Sequence, residues 1–297
     1  MDNYLIIIKQ IDNTIQTNGI PYYIKKWKKI PIPDNFNDYN DFIIFLKKYV
    51  NAYHFHTHIK SEQLYNKIQK KYMKQNKIKE RPMPTFKFDK TNKIGMITFY
   101  YFYNSYDEQI NIKDTNKIIK LVHNYYIKWH DMNGLIIDLR NHEGGNMWPH
   151  VKSLIDILGN TTLLSFNNVK TKRTDKKWIN IRNGMMYYDQ EFMSNKLAFN
   201  NKIAVIVSDK TISSGEFITS IFYGRKNVKI FGDKVKKTGG YFSANGSIKI
   251  NDDITLHFTS SLCTTVNGTF HKDEIIYVDK MTHKPITEAK KWILKKT

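Results

Sequence analysis

The sequence is short of cysteine, of acidic side chains and of long apolar runs. Cys263 is its one cysteine, so an internal disulfide cannot form, which fits a reducing compartment such as the cytoplasm. The N-terminus offers a single apolar run, from Leu5 to Ile8, and Lys9 follows it at once. A secretory signal needs about 7–15 apolar residues and a membrane span about 20. We therefore expect a soluble, cytoplasmic protein without a membrane anchor.

The shortage of acidic residues leaves a net charge of +20, from 47 Lys and Arg against 27 Asp and Glu. A positive field of this size attracts anions such as nucleic acid, acidic lipid surfaces or acidic peptides. The basic residues are spread along the chain, with only short clusters such as residues 25–29. Polyanion binding, nucleic acid included, is therefore an alternative to a solvated lysine-rich surface without a role.

The first 90 residues have the pattern of a small helical region. Two runs of apolar side chains recur there at helical spacing, and Ser61 is a candidate N-cap for the second. The runs are Phe42, Phe45, Leu46 and Tyr49, and Leu64, Ile68 and Tyr72. Pro82 and Pro84 punctuate the end of the region. We predict a helical N-terminal region over residues 1–90.

From residue 91 onward, apolar strands alternate with helical patterns, which predicts a layered α/β domain over residues 91–297. Hydrophobic residues make up 41% of the chain, enough for a large core. The predicted strands are 94–103, 135–139, 203–207 and 228–231, and the predicted helices are 114–129, 151–158 and 213–223. Short strands and turns follow residue 240.

The first segment that could take part in catalysis is residues 134–149. There a buried strand runs into Gly144 and Gly145 and then into a helix. Glycines let backbone N–H groups approach a ligand closely, and a helix N-terminus adds positive potential. Such a turn suits an oxyanion hole. An ordinary strand-to-helix turn is the alternative.

The second segment, residues 203–217, presents Ser213 between a buried strand and a helix. A serine nucleophile needs rigid exposure, an adjacent N–H donor for the oxyanion, and a base. The alternative is that Ser213 only caps the helix, with Glu216 completing a capping box. A third segment, residues 232–241, is by itself a basic turn with glycines.

In their order and spacing, the three segments resemble the tail-specific (C-terminal processing) peptidase family. The matching stretches read GLIIDLR followed by HEGG, then TISSGE, then GDKVKKTGG. The resemblance covers roughly residues 91–280. It implies a crotonase-like core of stacked ββα units and a serine peptidase that acts on peptides or proteins without cofactor or metal.

Carried over residue by residue, the resemblance makes Ser213 the nucleophile and the backbone N–H of Ser214 one oxyanion donor. Gly144 or Gly145 would provide the second donor. His142 stands where the family has asparagine, which alters either the geometry or the titration of the turn. This departure keeps open a second hypothesis, a catalytically inactive peptide- or polyanion-binding protein on the same fold.

The family resemblance offers two kinds of general base. One branch uses a lysine in the third segment, but Thr238 occupies that position here, so Lys237 and Lys236 remain as alternative bases. The other branch, similar to nisin-resistance proteins and tricorn-like cores, uses a histidine from the N-terminal region. That branch favours His56, because histidine titrates near neutral pH.

His56 lies between two further histidines, His54 and His58. On a strand, these alternate residues would share a face, which suggests a metal site as another interpretation. A third interpretation is that these are surface histidines without a functional role. The main prediction remains a serine endopeptidase with a Ser213/His56 dyad.

Overall fold

The computed structural model has a mixed α/β fold, as the sequence predicts. It describes residues 2–64, 81–105, 107–167, 177–189, 196–269 and 274–295. Ile68 and Tyr72, from the second predicted helical run, lie outside the described residues. The helices are α1 (Asp2–Asn18), α2 (Pro21–Lys26), α3 (Tyr39–Asn51), α4 (Glu108–Lys128), α5 (Trp148–Ser153), α6 (Ile155–Leu158), α7 (Ser214–Phe222) and α8 (Pro285–Leu294).

The strands are β1 (His58–Ser61), β2 (Thr85–Asp89), β3 (Ile94–Thr98), β4 (Gly134–Asp138), β5 (Thr161–Asn167), β6 (Lys177–Arg182), β7 (Met185–Asp189), β8 (Lys202–Val207), β9 (Val228–Asp233), β10 (Ser243–Lys249), β11 (Ile254–Thr265) and β12 (Lys280–Thr282). The chain forms two compact units. The first contains residues 1–80, 167–175 and 243–262, and the second contains residues 81–166, 176–242 and 263–297.

The first unit packs α1, α2 and α3 with an antiparallel ladder. The predicted apolar face of α3 is buried, and the Asp38 side chain caps the helix by accepting a hydrogen bond from Asp41 N. β1 pairs with β11 from His58↔His257 to Ser61↔Ile254, and β10 pairs with β11 on the other side. Ser61 caps the turn after β1, because its Oγ accepts the N–H of Leu64 at 3.3 Å.

The second unit is built on a sheet with the strand order β12-β9-β8-β4-β3-β2. The pairs from β12 through β9, β8 and β4 to β3 are all parallel, whereas β2 is antiparallel to β3. All of β4 is buried, because alternate side chains enter cores on both faces. Ile137 packs in the core that contains α4 and α7, and Ile136 packs against Ala289 and Ile293 of α8.

Several predicted boundaries are wrong in instructive ways. Residues 85–89, assigned to the helical region, form β2 and pair with β3. The predicted strand 94–103 ends at Thr98. The helix predicted to open at Asp114 already begins at Glu108, because the Asp107 side chain caps it. The helix predicted over 151–158 is two short helices, α5 and α6.

β5, β6 and β7 form an antiparallel ribbon.

None of the described helices combines the length and the apolarity that a membrane crossing requires.

Candidate active site

Two turns follow neighbouring parallel strands of the second unit. The glycine turn, residues 140–147, follows β4, and the serine turn, residues 208–213, follows β8. Both lie at the same edge of the sheet, since β4 and β8 are paired in parallel. Hydrogen bonds join the turns: the Thr211 hydroxyl donates to Leu139 O at 2.9 Å, and Ile212 N donates to His142 O at 3.3 Å.

Ser213 has a backbone conformation that non-glycine residues rarely adopt. Its φ is +52° and its ψ is −116°, at the N-cap position of α7. Holding a serine in this region costs roughly 1–3 kcal/mol, and such strain concentrates at functional sites. A sharp strand-to-helix turn of this kind presents a nucleophile at the edge of a sheet.

The glycine turn approaches Ser213 as closely as a glycine allows. Gly144 has a φ of +98°, and a Cβ added there would lie 3.3 Å from Ser213 Cβ and 3.7 Å from its Oγ. Gly145 has a φ of +100°, and a Cβ there would lie 2.3 Å from Phe102 O. Side chains at either position would displace the turn, so the two glycines are required by the packing as well as by the backbone.

The backbone N–H groups in and next to the two turns differ in whether they already donate a hydrogen bond. Gly144 N donates weakly to His142 Nδ1 at 3.4 Å. The N–H groups of Gly145 and of Ser214, the first residue of α7, have no acceptor among the described residues. Because a helix N-terminus also carries positive potential, these two donors are the ones available to an oxyanion.

Glu216 connects the serine turn to the third segment from inside the protein. This fully buried side chain accepts hydrogen bonds from Ser213 N at 2.9 Å, from Gly240 N at 3.1 Å and from the Thr238 hydroxyl. Burial raises the pKa of Glu216 to about 9, against the lowering effect of these hydrogen bonds. The side chain thus completes one half of the predicted capping box and fixes the conformation of Ser213.

Thr238, at the position of the lysine in one branch of the family, is a buried structural residue. Its hydroxyl donates to Glu216 and accepts from Ile276 N at 3.0 Å. The alternative bases Lys236 and Lys237 are both exposed. Neither side chain is buried, as a lysine that acts as a general base needs to be.

His142 forms a buried pair with His150 beneath the glycine turn. Their Nε2 and Nδ1 atoms lie 3.0 Å apart, and both side chains are excluded from solvent. Burial lowers the pKa of His142 to about 4 and lowers that of His150 well below the ordinary value. The backbone of His142 also crowds α7, since a Cβ on Gly215 would lie 2.7 Å from His142 O. The pair is therefore neutral and supports both turns.

His56 belongs to the first unit and lies in the turn between α3 and β1. Its half-buried ring places Nδ1 at 3.0 Å from the Oγ of Ser243. Its backbone O accepts a hydrogen bond from Asn245 Nδ2 at 2.8 Å, and its N–H donates to His54 Nδ1 at 3.3 Å.

The neighbouring histidines have different surroundings. His54 is buried, with its Nδ1 at 2.8 Å from the Thr259 hydroxyl. His58 is exposed in β1 and stacks on His257, with ring centroids 4.7 Å apart. The metal interpretation required an extended strand, but the strand begins only at His58. In the part of the chain that the structure describes, no group of three or more His, Cys, Asp or Glu could hold a metal ion.

A model of peptidase family S41 matches residues 93–279, which include both turns and the third segment. The chain belongs to this family. The resemblance predicted from the motifs is confirmed, and S41 members are serine peptidases.

A nisin-resistance protein from Lactococcus lactis subsp. lactis is 32% identical to this S41 chain over 166 residues. That match covers 54% of this chain and 50% of the relative, so the similarity extends over half of the relative's length. A lipoprotein from Streptococcus agalactiae has a similar structure, with a TM-score of 0.64, 22% identity and coverage of 95% of this chain and 87% of that one. A protein from Parabacteroides merdae has a TM-score of 0.59 and 15% identity, covering 99% and 98% of the two chains. The two structural likenesses show the fold alone.

The motifs located the S41 turns but not two polar contacts, that of Thr238 with Glu216 in the second unit and that of Ser243 with His56 in the first. The sequence marks Thr238 only as the residue at the family's lysine position, and no motif predicts its hydrogen bond to Glu216. Ser243 follows the third segment in the stretch Gly-Tyr-Phe-Ser, which matches no motif. Neither contact has a sequence pattern, because each joins residues far apart in the chain.

Proposed function

We propose that this S41 chain is a serine endopeptidase. Ser213 Oγ attacks the carbonyl carbon of a peptide bond while His56 accepts its proton. When the C–N bond breaks, His56 returns that proton to the leaving amine, and water then hydrolyses the acyl-enzyme by the same route. The N–H of Ser214 and that of Gly145 or Gly144 stabilise the oxyanion. The strained conformation of Ser213 beside Gly144 is the observation on which the proposal rests.

Of the three candidate oxyanion donors, the N–H groups of Ser214 and Gly145 are better suited to bind the oxyanion than that of Gly144. The N–H groups of Ser214 and Gly145 have no acceptor among the described residues, whereas that of Gly144 is directed to His142 Nδ1. A donor that is already unpaired contributes to the transition state without first breaking a bond. We therefore favour Gly145 over Gly144 as the second donor.

His56 is the better base because of its surroundings. It is half-buried and hydrogen-bonded on one ring nitrogen, while Lys236 and Lys237 extend into water. We propose that residues 1–90 supply this base and that residues 91–297 supply the nucleophile, on a crotonase-like core of ββα units. The cytoplasmic location stays a prediction of the sequence.

The substrate class follows from the family, and a first candidate follows from a relative. S41 peptidases act on peptides or proteins, and the Lactococcus lactis relative is named a nisin-resistance protein. Nisin is therefore the first substrate to test with this chain.

The test is labelling of the intact protein with a fluorophosphonate probe, followed by peptide mapping. We expect labelling at Ser213, none in Ser213→Ala, and a rate lowered about 10²-fold or more in His56→Gln, the range that general-base catalysis supplies. Ser247→Ala is a matched control, because the exposed Ser247 hydroxyl also lies 2.7 Å from a histidine nitrogen, His257 Nδ1. Its labelling should equal that of the parent protein.

Absence of labelling from mild acid to alkaline pH would contradict the peptidase proposal. It would support the second hypothesis, an inactive peptide-binding protein in which His142 has replaced the family asparagine. Labelling at a serine other than Ser213 would contradict the assignment of the nucleophile.

A further inference from the structure

The segment between β3 and α4, residues 99–105, runs along the glycine turn. Phe102 forms a parallel β-bridge with Gly145. Its N–H donates to Gly144 O at 3.2 Å, and its O accepts from Asn146 N at 2.6 Å. The Phe102 side chain is buried. The segment is therefore fixed against the turn that carries the favoured oxyanion donor, the N–H of Gly145.

Two tyrosines flank the buried Phe102 and reach solvent. The rings of Tyr101 and Tyr103 stack on each other, with centroids 4.9 Å apart and 30° between the planes. Side chains two residues apart share a face of an extended chain, which explains the stacking. Tyr103 is 53% exposed, and Tyr101 is half-buried. The segment thus buries one aromatic ring and presents two others side by side.

Tyr103 is held at both ends of its side chain. Its hydroxyl donates to the backbone O of Glu143 at 2.9 Å, while its ring packs on Tyr101. Glu143 and Gly145 are two residues apart, so their Cα atoms lie at most about 7 Å from each other. A ring that is already fixed loses little conformational freedom when it contacts a ligand. The tyrosine pair is therefore a preformed apolar surface beside an oxyanion donor.

We propose that Tyr101 and Tyr103 form a subsite for a large apolar side chain of the peptide, such as that of phenylalanine or leucine. The position of the pair assigns this occupant. A carbonyl oxygen held by the N–H of Gly145 belongs to the scissile bond, and successive residues of a peptide are only about 3.8 Å apart. A side chain close to that bond can therefore reach the rings. This assignment of the occupant rests on the proposed function.

The chemistry of the surface favours an apolar side chain over a charged one. An apolar side chain packed on the rings removes apolar surface of both partners from water. The exposed Glu143 carboxylate repels an acidic side chain. It attracts a basic one only weakly, because water and salt screen an exposed ion pair. A cation over an exposed ring gains little for the same reason.

The first readout is binding, which does not depend on catalysis. N-acetylphenylalaninamide, N-acetyllysinamide and N-acetylalaninamide are titrated separately into the Ser213→Ala chain, and backbone amide shifts are recorded by NMR. We expect the phenylalanine compound to shift the amides of residues 101–103 and 143–145, and the other two to bind about 10-fold more weakly or less. Equal binding of the three compounds, tighter binding of the lysine compound, or shifts confined to other residues would overturn the subsite.

The second readout is selectivity of cleavage by the full chain. Synthetic dodecapeptides of randomised sequence are digested, and the cut sites are mapped by mass spectrometry. We expect large apolar residues to be enriched at a position next to the cut. The variants are Tyr101→Ala, Tyr103→Ala and Tyr103→Phe, each shown to be folded by circular dichroism. Tyr188→Ala is the matched control, because Tyr188 is 55% exposed but lies in β7.

We expect the preference for phenylalanine over alanine to fall about 10-fold in Tyr101→Ala and Tyr103→Ala. Tyr103→Phe, which keeps the ring, and Tyr188→Ala should retain it. A general loss of activity does not change this ratio, so a merely structural role of the tyrosines would leave it unaltered. Cleavage without the preference would overturn the subsite and leave Ser213 as the nucleophile. If fluorophosphonate does not label Ser213 in the parent protein, the proposed function fails, and the NMR titration decides on the subsite by itself.

Discussion

Glu216 illustrates how one buried side chain controls the conformation of Ser213. Its two oxygens accept three hydrogen bonds from groups that have no access to water, two of them backbone N–H groups. Because the pKa of Glu216 is raised to about 9, the side chain is protonated at neutral pH, yet both of its oxygens keep lone pairs that can accept. A glutamine has one acceptor oxygen, and its N–H₂ group accepts nothing and would face a donor. One or more buried donors would then lose their partner.

We predict that Glu216→Gln lowers the free energy of unfolding by about 1–3 kcal/mol, the cost of an unsatisfied buried donor. Urea unfolding measures the change, and Glu143→Gln, an exposed site in the glycine turn, is the control expected to be near neutral. A Glu216→Gln protein as stable as its parent would show that these hydrogen bonds are dispensable.

Gly144 tests the contact between the glycine turn and Ser213. We predict that Gly144→Ala slows fluorophosphonate labelling of Ser213, because the new Cβ would lie 3.3 Å from Ser213 Cβ. Gly268→Ala is the control, since Gly268 also has a positive φ, +82°, but has no neighbour within 4 Å of the added Cβ. Both variants should lose about 1–2 kcal/mol of stability from backbone strain. Equal labelling rates in the two would mean that crowding at Gly144 does not matter.

At the scale of elements, the glycine turn and α5 contribute one histidine each to a buried pair. His142 has its pKa lowered to about 4 by burial, whereas in the unfolded chain it titrates near 6.5. Between these values the unfolded chain binds a proton that the folded chain does not. The pair therefore contributes stability above about pH 6.5 that is lost as the pH falls toward 4.

We predict that the contribution of His142 to the free energy of unfolding falls by about 2 kcal/mol when the pH is lowered from about 7.5 to 5. Because Glu216 has its pKa raised to about 9, it contributes the opposite slope. The quantity to measure is therefore the difference in slope between the parent protein and His142→Asn, with the exposed His130→Asn as control. Parallel slopes for parent and His142→Asn would contradict the buried neutral state of His142.

At the scale of the whole molecule, the net charge of +20 acts on any charged substrate that approaches. We predict that kcat/KM for an acidic peptide falls several-fold between about 20 and 200 mM salt, because screening weakens the attraction. For a basic peptide of the same length kcat/KM should rise, and for a neutral one it should stay level. The same salt response for all three peptides would show that the charge is remote from the path of the substrate.

The sequence by itself determined the buried strands and the turns that follow them. The runs at residues 135–139 and 203–207 are apolar throughout, and parallel strands buried on both faces have this pattern. Gly144, Gly145 and Ser213 stand at fixed offsets after those strands, so the motifs predicted both the family and the candidate nucleophile. Such features are local, and local sequence is enough to specify them.

Only the tertiary structure decided which distant residues meet within each unit. It returns residues 243–262 to the first unit and so brings Ser243 to His56. It likewise brings Thr238 and Gly240 to Glu216. These hydrogen bonds link residues separated by 22 to 187 positions. No periodicity in the sequence reports them, because the partners are selected by the packing of the whole chain and not by their neighbours along it.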